Sequence, residues 1–148
     1  MYKKILVPLD GSELSETSLS HVMSLMECSN PPAVVLFRAR EPMDSGARQR
    51  LSAELARQLD EAYHEELTEY LDKVAATLKE QGITAETVAI AGSPAESILD
   101  YAQQNNVDII VMSSHGRTGI ARWAFGSVTE KVLKESPIPV LVVTHKEK

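Results

Sequence analysis

The stretch Val107–Ser127, VDIIVMSSHGRTGIARWAFGS, decides how the rest of the chain is read. Its apolar run Ile109-Ile110-Val111-Met112 breaks into Ser113-Ser114-His115-Gly116. A segment with Gly116, Gly119, Gly126, Arg117 and Arg122 and no acidic residue follows, and a helical pattern opens at Val128. Such an apolar run reads as a buried strand. A glycine-rich, cationic loop between that strand and a helix N-terminus suits an anion, because unpaired backbone N–H groups and the helix dipole face it. The glycines equally suit turns in a long β-to-α connection. From these residues alone both readings stand.

Working outward from that segment, Val128, Val132 and Leu133 mark a short helix that Ser136-Pro137-Ile138-Pro139 ends, and Val140-Leu141-Val142-Val143 reads as a last strand. Upstream, Ile83–Ile90 is a strand whose Thr84 and Glu86 suit the edge of a sheet. Ser93-Pro94-Ala95-Glu96 is a helix start, with Ser93 as cap, Pro94 at the first helical position and Glu96 reaching back as a capping box. Ile98, Leu99 and Ala102 form that helix's buried face to about Asn105-Asn106. A stripe from Leu51 through Leu55, Leu59, Tyr63, Leu67, Leu71, Val74 and Leu78 predicts a long helix stopped at Gly82. Arg40–Arg50, with Pro42, Asp44, Ser45 and Gly46, carries no period and reads as a mobile loop. Ala33–Ala39 is a strand after the Asn30-Pro31-Pro32 break. At the N-terminus, Lys3–Leu9 is a strand closed by Pro8, Asp10-Gly11-Ser12 a turn, and Ser12 the cap of a helix running to about Cys28.

The order βαβαβαβαβ calls for a parallel sheet with helices on both faces, an α/β fold whose ligands sit at the carboxyl ends of strands where the strand order reverses. The 148 residues suit one domain, 1–148, without internal repeat or linker. No apolar run approaches the ~20 residues that span a bilayer. The N-terminal MYKKILVPLDGS lacks the apolar region of a signal peptide, and Cys28 stands alone, so a cytoplasmic setting is expected. A net charge of −6 argues against nucleic acid or anionic membrane as partners. Most of that charge lies between Leu51 and Gln81, where eight acidic residues face three basic ones, so a local anion site near Arg117 and Arg122 remains compatible with it.

Taken together, MYKKILVPLDGSELS, GSPAESI and SSHGRTGIARWAFGSVTEKVLKESPIPVLVV resemble the universal stress protein family along essentially the whole chain. Members that bind ATP carry glycine, two residues, glycine, nine residues, then glycine with serine or threonine. Here Gly116, the nine residues Arg117–Phe125 and Gly126-Ser127 match, while Ser113 stands at the first glycine position. Serine there costs on the order of 1 kcal/mol if φ must be positive, and is tolerable if only a small side chain is required.

The resemblance implies a Rossmann-like, adenine nucleotide alpha hydrolase-like single domain with five parallel strands in the order 3-2-1-4-5. It implies a site for ATP, or AMP or ADP, with Mg²⁺. Pro8, Leu9 and Asp10 would line the adenosine side, with Asp10 also near the phosphates and the metal; Ala39 would meet adenine through its backbone. Met112, Ser113, Gly116, Arg117, Gly126, Ser127, Val128 and Thr129 would contact ribose and phosphates. It further implies a homodimer through Val140, Leu141, Val142 and Val143, since an apolar edge strand needs a cover, and a regulatory protein partner. The function expected is a nucleotide-dependent regulatory surface in the stress response; the alternatives are a slow ATPase at the same site and an interaction module without nucleotide. His115 lacks the company of a nucleophile or metal ligands, and no catalytic residue is assigned. Asp10-Gly11-Ser12 also reads simply as a turn.

Overall fold

Ile5, Leu6 and Val7 are completely buried, so the first strand is covered on both faces. In the computed structural model, which describes residues 1–114 and 125–145, this strand is the middle of a five-stranded parallel sheet. The strands are β1 (Lys4–Pro8), β2 (Ala33–Arg40), β3 (Ala85–Ala91), β4 (Ile109–Ser113) and β5 (Val140–Val143), in the order β3-β2-β1-β4-β5. The helices are α1 (Glu13–Glu16), α2 (Ser18–Met26), α3 (Ser45–Gln49), α4 (Ala53–Glu80), α5 (Pro94–Gln104) and α6 (Ser127–Glu135). Because strand side chains alternate, β1 splits its apolar residues between two cores. Ile5 and Val7 join Val22, Leu36, Leu71, Leu78 and Val111 under α2 and α4. Leu6 joins Val35, Phe37, Ile98, Ile110 and Val132 under α5 and α6. The expected strand order is therefore the observed one, with β3 at an edge.

Several local expectations change. The predicted helix from Ser12 to Cys28 is two helices joined at Thr17, whose hydroxyl donates to the Leu14 carbonyl at 2.7 Å and competes with the helical ladder. The Arg40–Arg50 segment is not a featureless loop. Asp44 accepts from the Gly46 and Ala47 amides at 3.1 and 3.2 Å and starts α3, which an Arg48–Asp60 ion pair at 2.6 Å ties to α4. Five helical residues are too few to show a period. The capping box at Ser93 is absent: no side chain caps α5 there, and Glu96 instead accepts from Lys131 of α6 at 2.9 Å. The cation on the neighbouring helix outcompetes the reach back to the cap.

Gly82 does stop α4, at φ +84°, through a Schellman motif. The Ile83 amide donates to Leu78 O and the Gly82 amide to Lys79 O, while Ile83 and Leu78 share the core. This pulls Ile83 into the helix cap, so β3 starts at Ala85 rather than Ile83. Asn106, at φ +52°, turns the chain out of α5, and β4 runs from Ile109 through Ser113, one residue past the expected apolar run.

The start of β1 is tied to the start of β4 by one carboxylate. Asp108 Oδ2 accepts from the Lys3 and Lys4 amides at 2.7 and 2.9 Å, which holds its pKa below the usual 3.8. A depressed folded-state pKa stabilises the fold above the unfolded-state value and ceases to do so as pH falls through the folded one. Asp108→Asn is therefore expected to flatten the loss of stability below about pH 4, measured as urea midpoints at stepped pH.

Candidate functional site

The strand order reverses between β1 and β4, since the chain steps from β1 to β2 and β3 in one direction and from β4 to β5 in the other, and a cleft opens at the carboxyl ends of β1 and β4. A cavity of about 240 Å³ there is lined from β1 by Pro8, Leu9 and Asp10, from β2 by Phe37 and Ala39, and from β4 by Met112 and Ser113. Gly126, Ser127, Val128 and Thr129 at the start of α6, with Ser15, Pro94 and Ile98, complete it. Ten of the twelve residues expected at a site thus meet in one cavity. Gly116 and Arg117 lie outside the described residues, as do His115, Gly119, Arg122 and Trp123.

The turn after β1 is held by a closed set of hydrogen bonds. Asp10 Oδ1 accepts from the Ser12 amide at 2.9 Å and from the Ser12 hydroxyl, whose oxygen in turn accepts from the Ser15 amide at 3.1 Å. The buried Ser15 hydroxyl donates to Ser12 O at 2.8 Å and accepts from the Asp10 amide at 3.3 Å. Gly11 stands at φ +86°, where a side chain would be strained. Asp10-Gly11-Ser12 is thus a built turn as well as a wall of the cavity.

Ser113 is buried in the strand, opposite Val143, with no left-handed backbone. Serine therefore carries no φ penalty in place of glycine. The Ser113 carbonyl accepts from the Thr129 hydroxyl at 2.9 Å, and the Gly126 amide donates to Ser114 O at 2.8 Å. These two bonds dock the start of α6 onto the end of β4. Gly126 is the N-cap, at φ −59°, and contributes no side chain to occupy the first-turn amides; α6 begins at Ser127, one residue before the expected Val128.

The cavity has two characters. Phe37, Ala39, Pro94, Ile98 and Met112 give it an apolar lining, while Asp10, Ser15, Ser127 and the start of α6 add polar groups. Among the described lining residues Asp10 is the one ionisable side chain. No group of three or more His, Cys, Asp or Glu that could hold a metal by itself occurs among the described residues. Ser15, Phe37, Pro94 and Ile98 were not expected at the site, although two periodicities point to members of this set. Phe37 lies two residues from Ala39 on one strand face, and Ile98 one helical turn beyond Pro94.

The model of the universal stress protein family matches residues 1–144. The chain belongs to the universal stress protein family. Universal stress protein MJ0531 of Methanocaldococcus jannaschii is 33% identical over 148 residues, covering 100% of this chain and 85% of that protein. The solved structure of MJ0577 from the same organism is 34% identical with a TM-score of 0.85, covering 100% of this chain and 99% of that one. A family protein of Arabidopsis thaliana solved with AMP bound shares the fold at a TM-score of 0.68 and 16% identity, covering 97% of this chain and 92% of that one. Among the described residues of this universal stress protein, no helix is long and apolar enough to cross a membrane.

The Thr129–Ser113 bond yields a simple test. Thr129→Val keeps the shape of a buried side chain but removes the donor, so it is expected to lower stability by about 1 kcal/mol, read from chemical denaturation.

Proposed function

We infer that this universal stress protein binds an adenine nucleotide, ATP with Mg²⁺ in the first instance, in the cavity between β1 and β4. The observation that carries this reading is that one cavity is lined both by apolar side chains and by a helix N-terminus. A flat apolar base suits Phe37, Ala39, Pro94 and Ile98, and phosphate suits the N-terminal amides of α6, where the helix dipole adds to them. The volume of about 240 Å³ lies just below the range usual for small-molecule sites, so a nucleoside would be enclosed while phosphates extend out toward Gly126 and Ser127. The AMP complex of the Arabidopsis relative is in keeping with the same ligand class.

Asp10 fits Mg²⁺ in one way only. A single carboxylate among the described liners makes no cage, but Mg²⁺ commonly takes one or two carboxylates together with substrate phosphates. Asp10 would hold the ion against the polyphosphate, and the ion would neutralise charge that Asp10 alone repels. Gly116 and Arg117 belong to the same proposal. The protein would act in the cytoplasm as a regulatory module of the stress response, presenting a nucleotide-dependent surface to a protein partner.

A homodimer through β5 is part of this reading. The edge strand Val140–Val143 is paired on one side by β4, and Leu141 is 36% exposed. Its counterpart in a second copy would cover it by two-fold symmetry.

Protein purified without added nucleotide, then denatured, is expected to release ATP, ADP or AMP in near-stoichiometric amount. If it releases none, Mg-ATP at about 100 times its Kd must still add ~2.7 kcal/mol of stability; neither release nor stabilisation would overturn the assignment. For the dimer, light scattering at micromolar concentration is expected to give twice the chain mass, falling to the chain mass in Leu141→Asp. A wild-type monomer would remove the dimer from the picture.

A further inference from the structure

Phe37 and Ala39 line the nucleotide cavity, so Arg38 between them points to the other face of the sheet. It is 5% exposed, an unusual depth for an arginine. Its guanidinium stacks over the Tyr70 ring of α4 at 4.8 Å. It also lies directly behind the turn after β1: a Cβ at Gly11 would stand 2.9 Å from Arg38 Nη2, 3.1 Å from Cζ and 3.2 Å from Nη1. Glycine at position 11 therefore serves both its left-handed φ and the close approach of this cation.

The platform beneath the guanidinium is itself fixed. The Tyr70 hydroxyl donates to Glu16 at 2.7 Å, and burial, followed by that carboxylate, pushes the phenol pKa up, so the ring stays neutral. Around Arg38 and Gly11, a surface pocket is completed by Glu66, Glu69, Tyr70 and Lys73. Glu66 pairs with Arg40 at 3.2 Å, and Arg40 repeats the stacking one step along, over Tyr63 at 4.5 Å. The turn bearing Asp10 is thus pressed between the cavity on one side and a buried positive charge on the other.

We propose that Arg38 is a positioning residue for the phosphate end of the cavity: it supports the Asp10-Gly11-Ser12 turn from behind and offsets the Asp10 carboxylate where polyphosphate lies. This rests on the nucleotide assignment above and adds the way the site tolerates an anion beside Asp10. A charge held in a partly desolvated setting acts over several ångströms, and its effect grows with the charge of the ligand. Arg38 therefore discriminates among adenosine, AMP and ATP, which share the base and ribose and differ in phosphate charge.

The test is calorimetric titration of the three ligands, with and without Mg²⁺, into wild-type protein, Arg38→Met and Arg38→Lys. Arg38→Met is expected to weaken ATP without Mg²⁺ by about tenfold or more, AMP by less, and adenosine by no more than about twofold. Mg²⁺ should recover part of the ATP loss, and Arg38→Lys most of it, since it restores the charge. If Arg38→Met does not fold, Arg38→Gln, which keeps hydrogen bonding without charge, must give the same ordering. Equal weakening of all three ligands, or an unchanged ratio of ATP to adenosine affinity, would overturn the role of Arg38 while leaving the nucleotide site standing. Wild-type protein that binds none of the three overturns the nucleotide assignment and this role together.

Discussion

The burial of β1 on both faces is the constraint from which the molecule follows. Ile5, Leu6 and Val7 have no exposed surface, so apolar layers must cover the sheet above and below. A strand so placed must be central, with β2 on one side and β4 on the other. Parallel neighbours on both sides require crossovers that leave in opposite directions, and this opens a crevice at the carboxyl end of β1. The sharp Asp10-Gly11-Ser12 turn keeps the chain from filling that crevice, and its hydrogen bonds to Ser15 make the turn rigid.

The other wall is built by a similarly local device. β4 runs through Ser113 and pairs with β5, and the start of α6 is then fastened to its end by Thr129 and Gly126. The helix N-terminus thereby lines the cavity with a glycine as its N-cap, which contributes no capping side chain. An apolar wall from β2 and α5 completes the enclosure. Each contribution is a short-range feature; the sheet brings them together around one cavity.

How much of this was legible can be judged residue by residue. The strands were readable because buried parallel strands are short apolar runs, and Gly82 was readable as a stop because a Schellman motif needs a residue at positive φ. The capping box at Ser93 was not, because Glu96 had a better partner in Lys131, 35 residues away. The helix at Ser45–Gln49 escaped because so short a segment lacks a period and is held by Asp44 and Asp60. At the site, ten of the expected residues line the cavity, but Ser15, Phe37, Pro94 and Ile98 read only as helix or core residues.

By itself the sequence determined the five strands, the parallel sheet, the family and the small residues at the end of β4, since each is a matter of local pattern and spacing. Tertiary structure alone decided which side chains enclose the cavity, how Ser113 is seated and where Arg38 stands. Ser113 lies in an extended strand, so the φ cost weighed for it does not arise, a fact set by its pairing with β5. Arg38 looks like any polar residue in a strand, yet it is buried against Tyr70 and Gly11 because three distant segments converge there. Such convergence comes from packing between elements, and no periodicity along the chain encodes it.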